Sequence, residues 1–109
     1  MANDLGEFTA GEKPIASLLH TFQYADGSPI DITGMQVRFT YQEQWGTPAT
    51  RNGAIQDGPA GKAAYVWDGS EFSSAGRWKA DLWIGNGINR VASTRFVWTV
   101  RAAVAIPAI

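Results

Sequence analysis

Met35-Gln36-Val37-Arg38-Phe39-Thr40-Tyr41-Gln42 alternates apolar and polar side chains without a fault. Met35, Val37, Phe39 and Tyr41 point to one side, and Gln36, Arg38, Thr40 and Gln42 to the other. Successive side chains of a strand face opposite ways, so this is the pattern of a strand in a sheet with one wet face. The same signal returns in residues 77–84, with Trp78, Ala80, Leu82 and Ile84 inward and Arg77, Lys79, Asp81 and Trp83 outward. Residues 62–67 place Ala63, Tyr65 and Trp67 inward, and in residues 89–101 Phe96, Trp98 and Val100 alternate with Arg95, Val97 and Thr99. Residues 5–9 read as a short first strand, and residues 15–24 as an extended run with Leu18, His20, Phe22 and Tyr24 on one face.

Five Asx-Gly pairs separate these runs: Asp26-Gly27, Asn52-Gly53, Asp57-Gly58, Asp68-Gly69 and Asn86-Gly87. Such pairs tolerate positive φ at little cost and suit tight turns. Residues 44–53, polar and containing Trp45, Gly46 and Pro48, read mostly as a loop, followed by a brief strand over 54–56. Phe72 is expected to plug the core beneath the connection 69–76, where residues 71–75 have room for one helical turn. No 12-residue window has a helical period. Seven or eight short antiparallel strands at this spacing predict an all-β domain, a two-sheet sandwich in preference to a small barrel.

The 109 residues are 45% apolar and 17% charged and include five tryptophans, enough for one domain with its own core. The expected boundaries are a domain over residues 1–101 and an apolar tail over 102–109. A net charge of −1 with no basic run argues against nucleic acid and against a polybasic membrane contact. The tail is the longest apolar tract, and eight residues fall short of the roughly 20 that span a bilayer. Residues 1–8 have no apolar core of a signal peptide, which leads to the expectation of synthesis in a host cytoplasm without a leader.

The residues offer little for catalysis. Cysteine is absent and His20 is the single imidazole, expected to be structural. A zinc site would have to be built from carboxylates, and the turn residues Asp26, Asp31, Asp57 and Asp68 lack the spacing of a calcium loop. Gly85-Asn86-Gly87 is too short to cradle phosphate. The expectation is therefore no enzyme, no metal and no cofactor. Trp67, Trp78 and Trp98 belong to inward faces, whereas Trp45 in a polar loop and Trp83 on an outward face are candidate contact residues. No row of aromatics accompanies them as a sugar platform would require. Val104, Ile106 and Ile109 make the tail either a disordered end or an arm that docks on a neighbouring subunit.

Phe8, Gly11-Glu12, Pro14, then Ala25-Asp26-Gly27-Ser28-Pro29-Ile30-Asp31-Ile32-Thr33-Gly34 and Val37-Arg38-Phe39 follow a particular order. It resembles the opening of the N-terminal domains of phage baseplate upper proteins and related Ig-like phage tail modules. Those open with an aromatic, a Gly-Asp pair, a Pro, a strand, a D-G-x-P-x-D-L-T-G bend and a V-x-F strand. Ala63-Ala64-Tyr65-Val66-Trp67 and Gly76-Arg77-Trp78-Lys79-Ala80-Asp81-Leu82 are similar to the family's later V-x-Y-x-W and G-x-Y-x-A-E-F. The departures are Glu12 for Asp, Ile32 for Leu, Asp81-Leu82 for Glu-Phe, and Phe72 in a stretch usually rich in Asp and Thr. The similarity runs over residues 8–100. It implies an Ig-like sandwich and a non-enzymatic virion component, in tail, baseplate, neck or capsid. Such a component docks on other phage structural proteins and forms a homo-oligomer or symmetric array. The chain ends where such proteins continue, so a stand-alone module is expected. A carbohydrate- or receptor-binding module using Trp45 and Trp83 is the alternative.

Overall fold

A computed structural model describes residues 3–109. Its strands are β1 (Asn3–Thr9), β2 (Leu18–Thr21), β3 (Gln36–Glu43), β4 (Ala49–Asn52), β5 (Ala54–Asp57), β6 (Lys62–Tyr65), β7 (Gly76–Gly85), β8 (Arg90–Ala92) and β9 (Phe96–Arg101). A single 3-10 turn occupies Ser70–Phe72. The larger sheet runs β1-β9-β7-β3-β4 with β8 beside β7, and the smaller runs β2-β6-β5. The two-layer, nearly all-β sandwich expected from the alternation is thus the fold observed.

Alternation becomes burial strand by strand. Val37, Phe39 and Tyr41 of β3, Trp78, Ala80, Leu82 and Ile84 of β7, and Phe96, Trp98 and Val100 of β9 are all buried against Ala63, Tyr65 and Trp67. Phe39 stacks on Tyr65 across the sheets with ring centroids 4.1 Å apart, and Trp67 meets Phe39 edge-on at 5.7 Å. Phe72 is fully buried under its turn and packs on Phe8 at 4.6 Å, the plug that the sequence suggests.

Four details depart from the sequence reading. The described residues form nine strands, and they are not uniformly antiparallel: β1 pairs with β9 in parallel, because the chain leaving β1 crosses to the smaller sheet instead of turning back in a hairpin. Within residues 44–53, read as loop, Ala49–Asn52 form the edge strand β4 on β3. Thr50, Arg51 and Asn52 are solvent-exposed there, so an edge strand with water on both sides shows no apolar period. Residues 89–101 are two strands. Between the Trp83–Ala92 and Ala80–Phe96 pairs, three residues (93–95) oppose two (81–82), a bulge in which Ser93 Oγ accepts the Leu82 amide at 3.0 Å. Tyr24 leaves the face of Leu18 and Phe22 because β2 stops at Thr21 and Tyr24 belongs to the following turn.

Gly53 is where the chain changes sheets. A Cβ there would lie 2.6 Å from Val37 Cγ1 and 2.8 Å from the Ala64 carbonyl, so the crossing fits only a residue without a side chain.

Candidate interaction surfaces

Trp83 sits on the outer face of the larger sheet, paired with Arg38 on one side and Ala92 on the other. Its indole is 37% exposed. Arg90 pairs with Gly85 one step further along, and Gln36 completes that row. These residues line an open cleft of about 940 Å³, together with Thr40, Thr50 and the hairpin residue Ile88. The lining holds two guanidinium groups and no carboxylate. Arg38 donates from Nη1 to the Val37 carbonyl at 3.0 Å and from Nη2 to Gln36 Oε1 at 3.2 Å. The ion pairs among the described residues are Arg51–Asp68, Arg95–Asp81 and Arg101–Glu7, and neither cleft arginine takes part in them.

Trp45 is at the tip of the β3–β4 hairpin and 85% exposed. The turn that presents it is tied by the Trp45 amide to Glu43 Oε2 at 2.9 Å and by Gln42 Nε2 to the Gly46 carbonyl at 2.7 Å. Glu43 ends β3, whereas Trp83 lies level with Arg38, five residues back along the same strand. That is roughly 17 Å at a strand's rise. The two tryptophans therefore do not form one platform.

The tail 102–109 folds back on the connection after β1. Gly11, at φ +97°, leaves the space in which Ile106 rests: a Cβ there would meet Ile106 Cδ1 at 2.8 Å. A cleft of about 730 Å³ runs between residues 10–15 and the tail. Val104 and Ile109 project fully into solvent, as does Ile15 across the cleft. Ile106 thus lies against Gly11 while staying 68% exposed, and Val104 and Ile109 have no such neighbour and are presented fully outward.

Sequence reasoning missed Glu71. Its side chain is completely buried, and it is the one charged residue in the core among the described residues. Glu71 accepts the Tyr65 hydroxyl and the Asp68 amide (3.3 Å) on Oε2 and the Gly69 amide (2.9 Å) on Oε1. Its own carbonyl accepts Trp98 Nε1 at 3.1 Å. The signal was present in Asp68-Gly69-Ser70-Glu71, the spacing at which a carboxylate reaches back to the amides that open a helical turn. Burial, with the hydrogen bond to Glu71 added, pushes the Tyr65 hydroxyl far above the ordinary tyrosine range.

His20 packs edge-on against Phe22 (4.6 Å) and Phe96 (6.0 Å) and is half-buried. Desolvation lowers its pKa from the usual 6.5. The unfolded chain therefore takes up this proton at a higher pH than the folded one. Above pH 6.5 the group contributes nothing, and stability falls as pH drops from 6.5 through the folded value. Urea midpoints measured from pH 7.5 to 5 are expected to fall modestly in the native protein, and His20→Gln is expected to flatten that slope.

A sequence profile of the BppU N-terminal domain matches residues 3–108. Among solved structures, the chain is similar to the N-terminal domain of phage TP901-1 ORF48, with a TM-score of 0.58 and 15% identity. That match covers 91% of this chain and 97% of the other. Comparison with curated proteins gave no significant match. With the profile covering nearly the whole chain and the fold matching end to end, this chain is a member of the BppU N-terminal domain family, the N-terminal domain of phage baseplate upper proteins.

Proposed function

We propose that this domain acts without catalysis, as a docking unit that holds its place in the virion by contacts with other baseplate subunits and with copies of itself. The observation that carries this reading is the presence of large apolar groups facing solvent at separate surfaces. These are Trp83 on the larger sheet, Trp45 on its hydrogen-bonded hairpin, and Val104 and Ile109 on the tail. Aromatic side chains held rigid before contact lose little freedom on binding, and such groups dominate protein interfaces. The segment 102–109 serves as an arm in this reading, lying beside Gly11 through Ile106.

The test is incorporation into particles. Removal of residues 104–109 is expected to leave a folded domain, judged by near-ultraviolet circular dichroism, that no longer co-purifies with baseplates. Trp83→Ala is expected to weaken that association by about 30-fold, in keeping with an interface anchor worth about 2 kcal/mol. Normal incorporation of both variants would exclude these surfaces from the contact.

A further inference from the structure

The charges on this molecule are sorted by surface in a way that its net charge of −1 conceals. The Trp83 cleft presents Arg38 and Arg90 with no carboxylate in its lining. The connection between β2 and β3, anchored to the other sheet by the Ile32 amide donating to the Gly58 carbonyl at 2.9 Å, presents the reverse. Asp26 Oδ1 accepts the Ser28 amide at 2.9 Å, and Asp31 Oδ1 accepts the Thr33 amide at 3.0 Å. Both turns use only Oδ1, so the Oδ2 of each residue accepts no hydrogen bond among the described residues. The hydroxyls and amides of Ser28 and Thr33 hold both carboxyls below the ordinary carboxylate range, so both remain charged well into acid. Beside Asp26, Tyr24 is 59% exposed.

Each surface thus has an exposed aromatic with a pair of like charges lacking an ion-pair partner, and the two pairs are of opposite sign. Neither pair is engaged by the other within one chain. Trp, Tyr and Arg are the residue types that anchor interfaces, and opposed charges fix register and choice of partner. We infer that the Arg38–Trp83–Arg90 cleft of one copy receives the connection between β2 and β3 of a second copy, with the carboxylates of its two turns at Asp26 and Asp31, in a head-to-tail contact. Because the two surfaces differ, the contact is heterologous and leaves one free surface of each kind on every added copy. Repetition gives a ring where the rotation closes and a filament where it does not. This rests on the reading above that copies of the domain contact one another.

The test is charge exchange, read by sedimentation velocity on the whole chain over a concentration series at low and high salt. The native protein is expected to self-associate at low salt and to dissociate as salt screens the contact. Arg38→Glu/Arg90→Glu and Asp26→Lys/Asp31→Lys are each expected to be monomeric alone, with at least about a 100-fold loss of association, as for a truncated charge pair. Mixed together, they are expected to assemble again, since each supplies the surface that the other has reversed. Asp26→Asn/Asp31→Asn keeps the oxygen that closes each turn and must also weaken association, which covers the case in which the Lys variant misfolds. A native protein that stays monomeric, reversed variants that associate normally, or a mixture that fails to assemble would each overturn the inference. Particle incorporation separates this from the wider reading. Reversed variants that still enter baseplates normally would remove this contact and leave the docking role standing, whereas a native domain absent from particles would remove the docking role itself.

Discussion

Phe39→Ala is expected to destabilise the domain by about 4 kcal/mol, the middle of the range for emptying a buried aromatic position. The side chain is wholly inaccessible to solvent and is shared between the sheets. It stacks on Tyr65 at 4.1 Å, meets Trp67 edge-on, and lies 5.7 Å from Tyr41. The surrounding rings are stiff and are held from both sheets, Tyr41 on β3 and Tyr65 and Trp67 on and just after β6, so they cannot collapse into the space that is left. In a thermal scan this corresponds to a fall of about 20 °C. Phe39→Leu, which retains much of the volume, is expected to cost less than half as much. A loss below about 1 kcal/mol for the alanine variant would mean that the two sheets are not packed through this ring.

Glu71→Ala is expected to cost about 3–4 kcal/mol, for a different reason. The hydroxyl of Tyr65 and the amides of Asp68 and Gly69 all converge on this carboxylate in a site closed to water. Removing it leaves those donors unpaired, and a buried donor without a partner bears the full cost of its lost hydration. Glu71→Gln keeps one acceptor oxygen and is expected to cost about 1–2 kcal/mol. Tyr65→Phe removes one donor and should therefore soften the effect of Glu71→Gln. Urea denaturation of the two single variants and the double variant measures that coupling, and strictly additive losses would show that the contact contributes nothing of its own.

These two residues also mark the division between what could be read along the chain and what could not. Phe39 was legible at once, because a strand covered on one side writes its burial into every second residue. The same holds for Trp78, Leu82, Phe96 and Trp98. Glu71 was hidden, because its burial depends on where the Ser70–Phe72 turn lands over the core and on Tyr65 arriving from another strand. The edge strand β4 was hidden for the opposite reason: with no covered side, it has no periodicity to read.

The candidate surfaces divide in the same way. Trp45 and Trp83 stand out from local pattern, one in a polar stretch and the other out of phase with an apolar strand face. That they belong to separate surfaces follows only from the register of β3 against β7. Ile106 looked equivalent to Val104 and Ile109 in an apolar tail, and only the fold places it beside Gly11, partly covered where the other two are bare.

Which side of each strand is covered could be read along the chain, and so could the turns at four of the five Asx-Gly pairs, since period-two alternation and turn chemistry are local consequences of backbone geometry and solvation; Asn52-Gly53 marks the crossing between sheets instead. The tertiary packing alone set which strands are neighbours, including the parallel joining of β1 to β9. It also decided which charges are left without a partner and which apolar groups face outward together. Those properties depend on contacts between residues far apart in the chain, and no local pattern encodes a distance across the fold.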